Sequence, residues 1–288
     1  MTCSINNERV EHVALSLKDV SRAAIDVIEY NDPQYDAIEK IASVMGPQGI
    51  VLVIANALVS YRLRVTGEEY WRMFSRYVTM RYSTRSFRDL MTVFYSFLET
   101  TKANTMVKEQ KMKRVKRAEK MLERVYNNPL AFSSIKLLHT LLREALGASG
   151  REKTLVFALK MAYYYYKSLG IEIKDYDDVP IPIDRRVALL TSTSRLLQES
   201  VSVIMTRCRD AAVEAWGRVS ELSGIPGLNL DALLWLPAQH IDGLLRRGLE
   251  YAREEYASRL VKYSMSLITW MQALTIASEI LYKHPIIT

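Results

Sequence analysis

Chain breakers are scarce in this sequence, and their scarcity constrains the fold more than any other feature. Only 11 glycines and 8 prolines are spread over 288 residues. Between them run stretches in which apolar residues recur at three- and four-residue spacing, the mark of a helix with one buried face. A sandwich or barrel of short strands needs turn residues far more often. The expectation is an all-α protein. Since 49% of its residues are apolar, the chain has the material for a sizeable core.

The breakers that do occur place the helices. The first is expected over 8–29, ending before Asn31-Asp32-Pro33, where Asp32 can cap and Pro33 can open the next helix. Gly46-Pro47 ends that one, and an apolar helix follows over 50–63. Thr66 and Glu69 have capping-box spacing ahead of the helix that carries Trp71 and Phe74. Helices are expected next at 86–98, 108–126, 133–146 and 151–167. The segment 171–183 is extended, because Pro180 and Pro182 hold it out of helix. Asp184 then opens a helix that reaches 197, and from about 195 one long helix is expected to run to 222. The uncharged stretch 263–278 is too polar for a membrane span and reads as a buried core helix. No secretory signal pattern is visible at the N-terminus.

Charge points toward an anionic partner. Lys and Arg number 39 against 32 Asp and Glu, an excess of +7. Much of it falls in 108–126, where Lys108, Lys111, Lys113, Arg114, Lys116, Arg117, Lys120 and Arg124 occupy most positions outside the apolar stripe. Such a face suits phosphates, although a solvated helix surface has the same composition. Two cysteines cannot build a multi-disulfide scaffold or hold an iron–sulfur cluster, and four scattered histidines show no zinc spacing.

Two residues stand where chemistry is feasible. Lys153 falls in the first turn of a helix, just after the hairpin Gly147-Ala148-Ser149-Gly150. The positive end of the helix dipole disfavours an ammonium there and favours the neutral amine, which is the nucleophilic form. Backbone amides at such a hairpin also suit a DNA phosphate. Asp184 sits at a helix start, where a fixed carboxylate can balance positive charge on a sugar or help move a proton. Each taken alone is more ordinarily a solvated lysine and a helix cap. The run Tyr163 to Tyr166 points in all directions on a helix, so most of it belongs to packing. Trp71, Phe157 and Trp235 offer aromatic faces of the kind a flipped base stacks on.

Several strings, taken in order, resemble the archaeal GO glycosylases, the 8-oxoguanine DNA glycosylase/lyases of the helix-hairpin-helix superfamily. They are Asp32-Pro33-Gln34-Tyr35, Asn56-Ala57-Leu58-Val59-Ser60-Tyr61-Arg62-Leu63, Gly67-Glu68-Glu69-Tyr70-Trp71, Arg151-Glu152-Lys153-Thr154-Leu155-Val156-Phe157, Val179-Pro180-Ile181-Pro182-Ile183-Asp184-Arg185-Arg186-Val187, and Leu230-Asp231-Ala232-Leu233-Leu234-Trp235-Leu236. The likeness spans about 30 to 240, while 196–205 and the region beyond 241 depart from the family pattern.

The resemblance implies roles. Lys153 falls on the Schiff-base lysine and Asp184 on the catalytic aspartate. Phe157 and Trp235 fall on the aromatic pair that sandwiches the base. Gln34, Trp71, Lys160 and Asp231 fall on residues lining the base pocket. Gly147, Gly150, Lys111, Arg114 and Arg117 are the expected DNA-backbone contacts. The implied fold is two helical subdomains flanking a cleft, 33–153 against 1–32 plus 154–288. The implied enzyme is an intracellular, nucleoid-associated monomer acting on duplex DNA, with single strands as a further candidate, and needs no metal or cofactor and no membrane. The alternatives are the same fold acting on another damaged base, a helical DNA-binding module without catalysis, and a helical scaffold protein.

Overall fold

The structure is a computed structural model that describes residues 3–82 and 86–286. Among these residues it is helical throughout, with two isolated backbone bridges and no strand. The helices in chain order are α1 (Asn7–Leu17), α2 (Arg22–Tyr30), α3 (Pro33–Met45), α4 (Ile50–Val59), α5 (Gly67–Met80), α6 (Phe87–Thr100), α7 (Lys108–Asn127) and α8 (Ile135–Leu146). They continue with α9 (Lys153–Ser168), α10 (Arg185–Thr193), α11 (Val201–Thr206), α12 (Arg209–Ser223), α13 (Gly227–Trp235), α14 (Ile241–Arg247), α15 (Leu249–Tyr263) and α16 (Trp270–Ile280). The chain divides into two compact units, Asp32–Val179 and Met1–Asn31 with Pro180–Thr288.

The unit Asp32–Val179 is organised by α4, whose ten residues are all buried. A helix without a polar face must be wrapped on every side. Helices α7 and α9 pack on it, and α3 packs on both α5 and α9. This corrects the expected boundary at 153/154. Helix α9 buries eleven residues in this unit, so the chain leaves it only after Val179. The stretch Pro33–Val59 is long and apolar enough to cross a membrane, but 72% of its most apolar window is buried in the protein, as in a core helix.

The other unit packs α1, α2 and α10 through α16 around one apolar core. Trp216 lies in it and donates its indole N–H to Thr191 Oγ1 at 2.9 Å. Arg9 is buried too, held by the carbonyl of Ser194 at 2.9 Å and the carboxylate of Glu279 at 2.6 Å.

Side-chain caps explain most helix starts. Asn6, Ser21, Asp32, Thr66, Ser86, Ser134, Asp184, Ser200 and Thr269 each accept a backbone N–H of the turn they open. Three expectations fail where a cap or a left-handed backbone position interrupts the helix. The helix expected over 8–29 is two, because Ser21 caps a new start. The long helix expected from 195 to 222 begins only at Val201, where Ser200 caps α11 after Arg195 takes a left-handed backbone at φ 62°, and it breaks again between Thr206 and Arg209. The core helix expected over 263–278 is interrupted at Met265 and Ser266, with φ of 50° and 66°. Helix α16 starts only after Thr269 has closed a full capping box with Gln272, and its Trp270 and Met271 are exposed.

Cys3 and Cys208 are joined in a disulfide across a sequence separation of 205 residues. Closing so long a loop stabilises the fold by on the order of 5 kcal/mol in the chain-entropy account. Reduction, or Cys3→Ser with Cys208→Ser, is expected to lower the melting temperature. Calorimetry with and without reductant checks this, and an unchanged melting temperature would count against a structural role for the bond.

Candidate functional site

The hairpin before Lys153 is built by two glycines. Gly147 takes φ 60° and closes α8, its N–H reaching the carbonyls of Arg143 and Glu144. Gly150 takes φ 99° and is buried. A Cβ there would lie 2.6 Å from Arg143 Cδ and 2.7 Å from His139 Nε2. Both the dihedral and the space exclude a side chain. His139 Nε2 lies 3.0 Å from the Gly150 carbonyl oxygen, and burial holds the imidazole below its ordinary pKa.

The amides expected to await a phosphate are already engaged. Glu152 accepts the backbone N–H of Ser149 at 2.7 Å and of Gly150 at 2.9 Å. Burial opposes its ionisation, but these amide bonds outweigh that and hold the carboxyl below its usual range. Lys153 follows as the first residue of α9 and is half-buried. On its other side Thr154 Oγ1 accepts a hydrogen bond from Arg114 Nη2 at 2.9 Å.

Farther along α9, Phe157 is half-buried and meets the Trp71 ring at 6.2 Å between centroids and 67° between planes. Trp71 is fully buried, yet its indole N–H has no partner. A buried donor left unsatisfied costs about 1–3 kcal/mol. Gln34 is 5% exposed, and its Nε2 lies 3.7 Å from where a Cβ on Gly67 would be, at the start of the helix that carries Trp71. One turn beyond Phe157, Lys160 is buried and faces Asp32 Oδ2 at 3.8 Å. Asp32 also accepts the Gln34 backbone N–H at 2.8 Å and the Tyr164 hydroxyl at 3.1 Å. Burial raises the pKa of Asp32, and the Lys160 ammonium is the largest influence opposing that rise. The sequence marked Asp32 only as a cap. Its place on the same turn as Gln34 was the available sign of a second role.

In the other unit, Asp184 caps α10 with Oδ1, which accepts the Val187 N–H at 2.9 Å. Its Oδ2 accepts the indole N–H of Trp235 at 3.0 Å. Arg186 donates to the Trp235 carbonyl at 2.8 Å and lies over the indole ring, 3.8 Å from its centroid. Asp184, Arg186 and Trp235 line one cavity of about 310 Å³. Asp231 lies one turn before Trp235 on α13 and is buried.

The basic helix α7 corrects one expected backbone contact. Lys111 is fully buried and cannot reach DNA. It donates to Asn104 Oδ1 at 3.0 Å and sits 5.2 Å from the centre of the Tyr61 ring. Asn104 in turn donates to the Tyr70 hydroxyl at 3.0 Å, and Tyr70 to Asn56 Oδ1 at 2.7 Å. Arg114 is half-buried and bound to Thr154. Arg117 is exposed, as are Lys113, Lys116, Lys120 and Arg124.

A lysine at the exit of a tight glycine hairpin and a carboxylate fixed at another helix start are groups able to act as nucleophile and as fixed negative charge. Residues 14–268 match AGOG, a family of N-glycosylase/DNA lyases, and the chain belongs to it. An N-glycosylase/DNA lyase of Aeropyrum pernix is 33% identical over 278 residues, covering 88% of this chain and 96% of that one. One of Methanopyrus kandleri is 32% identical over 225 residues, covering 76% and 86%. The crystal structure of the 8-oxoguanine DNA glycosylase of Pyrobaculum aerophilum, complexed with 8-oxoguanosine, superposes with a TM-score of 0.73. That match is 29% identical and covers 88% of this chain and 96% of that one.

Burial lowers the Lys111 pKa from 10.5 to about 8. Between those values the unfolded chain holds the proton and the folded chain does not, so stability rises with pH across the window. Melting followed from pH 8 to 10 should show that rise in the wild type and not in Lys111→Met. Parallel curves for the two proteins would remove Lys111 as its source.

Proposed function

We propose that the chain excises 8-oxoguanine from duplex DNA and cuts the strand at the resulting site, with Lys153 as nucleophile and Asp184 as its supporting carboxylate. The observation that carries this reading is the place of Lys153, first in α9 directly after the hairpin, in a chain so like the Pyrobaculum aerophilum enzyme. The substrate class rests on that likeness.

The steps follow from the groups present. Extruding the base costs a few kcal/mol of unstacking. Phe157 and Trp235 supply ring faces for it. The unpaired Trp71 N–H and the buried Gln34, Lys160 and Asp231 supply polar groups for its edge. The Lys153 amine attacks C1′, the bond from C1′ to the base breaks, and the departing base takes a proton. The sugar ring opens to an imine on Nζ. Loss of a C2′ proton then expels the 3′ phosphate, which cleaves the strand, and water later releases the sugar fragment from the lysine. The Asp184 carboxylate balances the positive charge that appears on sugar and amine. No metal or organic cofactor enters these steps.

The exposed basic side chains of α7, Arg117 among them, are the proposed phosphate contacts. The acting species is taken as an intracellular monomer, with single strands as a second substrate class.

Borohydride reduces the imine to a stable amine and so traps enzyme on DNA. Wild type should be trapped on an 8-oxoguanine duplex and Lys153→Gln should not. Equal trapping of both would remove Lys153 from the mechanism. Trapping on a different oxidised base, and not on 8-oxoguanine, would overturn the substrate.

A further inference from the structure

We propose that Trp235 is a positioning residue for the Asp184 carboxylate, with Arg186 as the clamp that fixes the indole. This rests on the role given to Asp184 above and adds a second task to an aromatic side chain otherwise assigned only to stacking.

The argument starts from the torsion of a carboxylate. The bond that turns an aspartate head is broad and roughly two-fold, so one hydrogen bond does not select an orientation. Capping α10 occupies Oδ1 alone. The indole N–H on Oδ2 supplies the second fixed point. With both oxygens held, the carboxylate plane has one setting.

That second bond is only as rigid as the indole. Trp235 is the last residue of α13 and is half-buried, so packing alone does not hold it. Arg186 does, by bonding to its carbonyl and stacking on its ring. A guanidinium suits this work because its planar fork can bond at the edge while its face lies on an aromatic ring. Asp184 and Arg186 are two residues apart at the start of α10, so the three side chains close a short loop. Arg186 covers one face of the indole, and the base stacking proposed above uses the other. A base stacked there bears on the same ring that holds Oδ2, which ties base occupancy to carboxylate orientation.

The test is a double-mutant cycle on the full-length protein, reading single-turnover excision rate and duplex affinity separately. Trp235→Phe keeps a stacking face and removes the N–H. Losing a hydrogen bond to a charged group should slow excision at least about tenfold, while the Kd for the 8-oxoguanine duplex changes by less than about threefold. In an Asp184→Asn background the same substitution should cause no further slowing, because Trp235 acts through the carboxylate. Arg186→Lys should slow excision in the wild-type background and not in Asp184→Asn. The chain has four tryptophans, so four indole N–H signals are expected in a nitrogen-correlated NMR spectrum. Asp184→Asn should move that of Trp235 and leave the other three in place, which also shows that the variant is folded.

Trp235→Phe with a wild-type rate, or with equal slowing in both backgrounds, overturns the proposal and leaves the role of Asp184 intact. Asp184→Asn with a wild-type rate overturns the reading of Asp184, and the proposal with it.

Discussion

Helix α4 has no solvent face, and the arrangement of the unit Asp32–Val179 follows from that constraint. Ten consecutive buried residues can be satisfied only by neighbours on every side. Helices α6, α7 and α9 must each present an apolar stripe inward, and their remaining faces are then fixed in direction. Lys153 owes its place to this. Its helix is anchored over eleven buried positions, among them all four tyrosines from Tyr163 to Tyr166. The amine stands at the end of a rigid rod, where a loop would have left it mobile.

The same wrapping forces polar groups into the interior, and the unit answers with chains of hydrogen bonds. Lys111, Asn104, Tyr70 and Asn56 form one chain in which each group donates to the next. Asp32 gathers a second group, accepting from the Tyr164 hydroxyl and facing the Lys160 ammonium at 3.8 Å. The two differ in how they handle charge. Asp32 and Lys160 are a buried ion pair, so removing either charge leaves the other uncompensated in a low-dielectric interior. The Lys111 chain holds no carboxylate, so burial acts on that lysine unopposed and draws its pKa down.

How much of this could be read from the sequence follows from what fixes each feature. Helix class, most helix starts and the burial of the tyrosine run depend on local chemistry, namely periodicity, caps and breakers, and they were legible. So were the places of Lys153 and Asp184 at helix starts. Features set by distant partners were not. Lys111 falls at helical spacing from Val115, Ala118, Leu122 and Val125, so the periodicity placed it on the buried stripe, but its partner Asn104 was not visible there. Glu152 gave no sign that it would occupy the hairpin amides, since that needs the Ser149 and Gly150 N–H groups to converge on it. The breaks at Arg195 and Met265 are left-handed backbone positions at residues with no strong preference for them, imposed by packing against propensity. The pairing of Cys3 with Cys208 likewise depends on the fold bringing together residues 205 positions apart.

The two proposed catalytic groups are held by opposite strategies. Lys153 needs reach, because in the proposed steps its nitrogen must travel to a carbon and stay bonded while the sugar rearranges. A long flexible side chain on a rigid helix provides that. Asp184 has a short side chain and does not move far, so its usefulness depends on orientation, and both oxygens are bonded. Those bonds also restrict it. A carboxylate with one oxygen given to a helix cap and the other to an indole is a fixed charge of set orientation. That fixed orientation suits the proposed electrostatic support of the sugar cation.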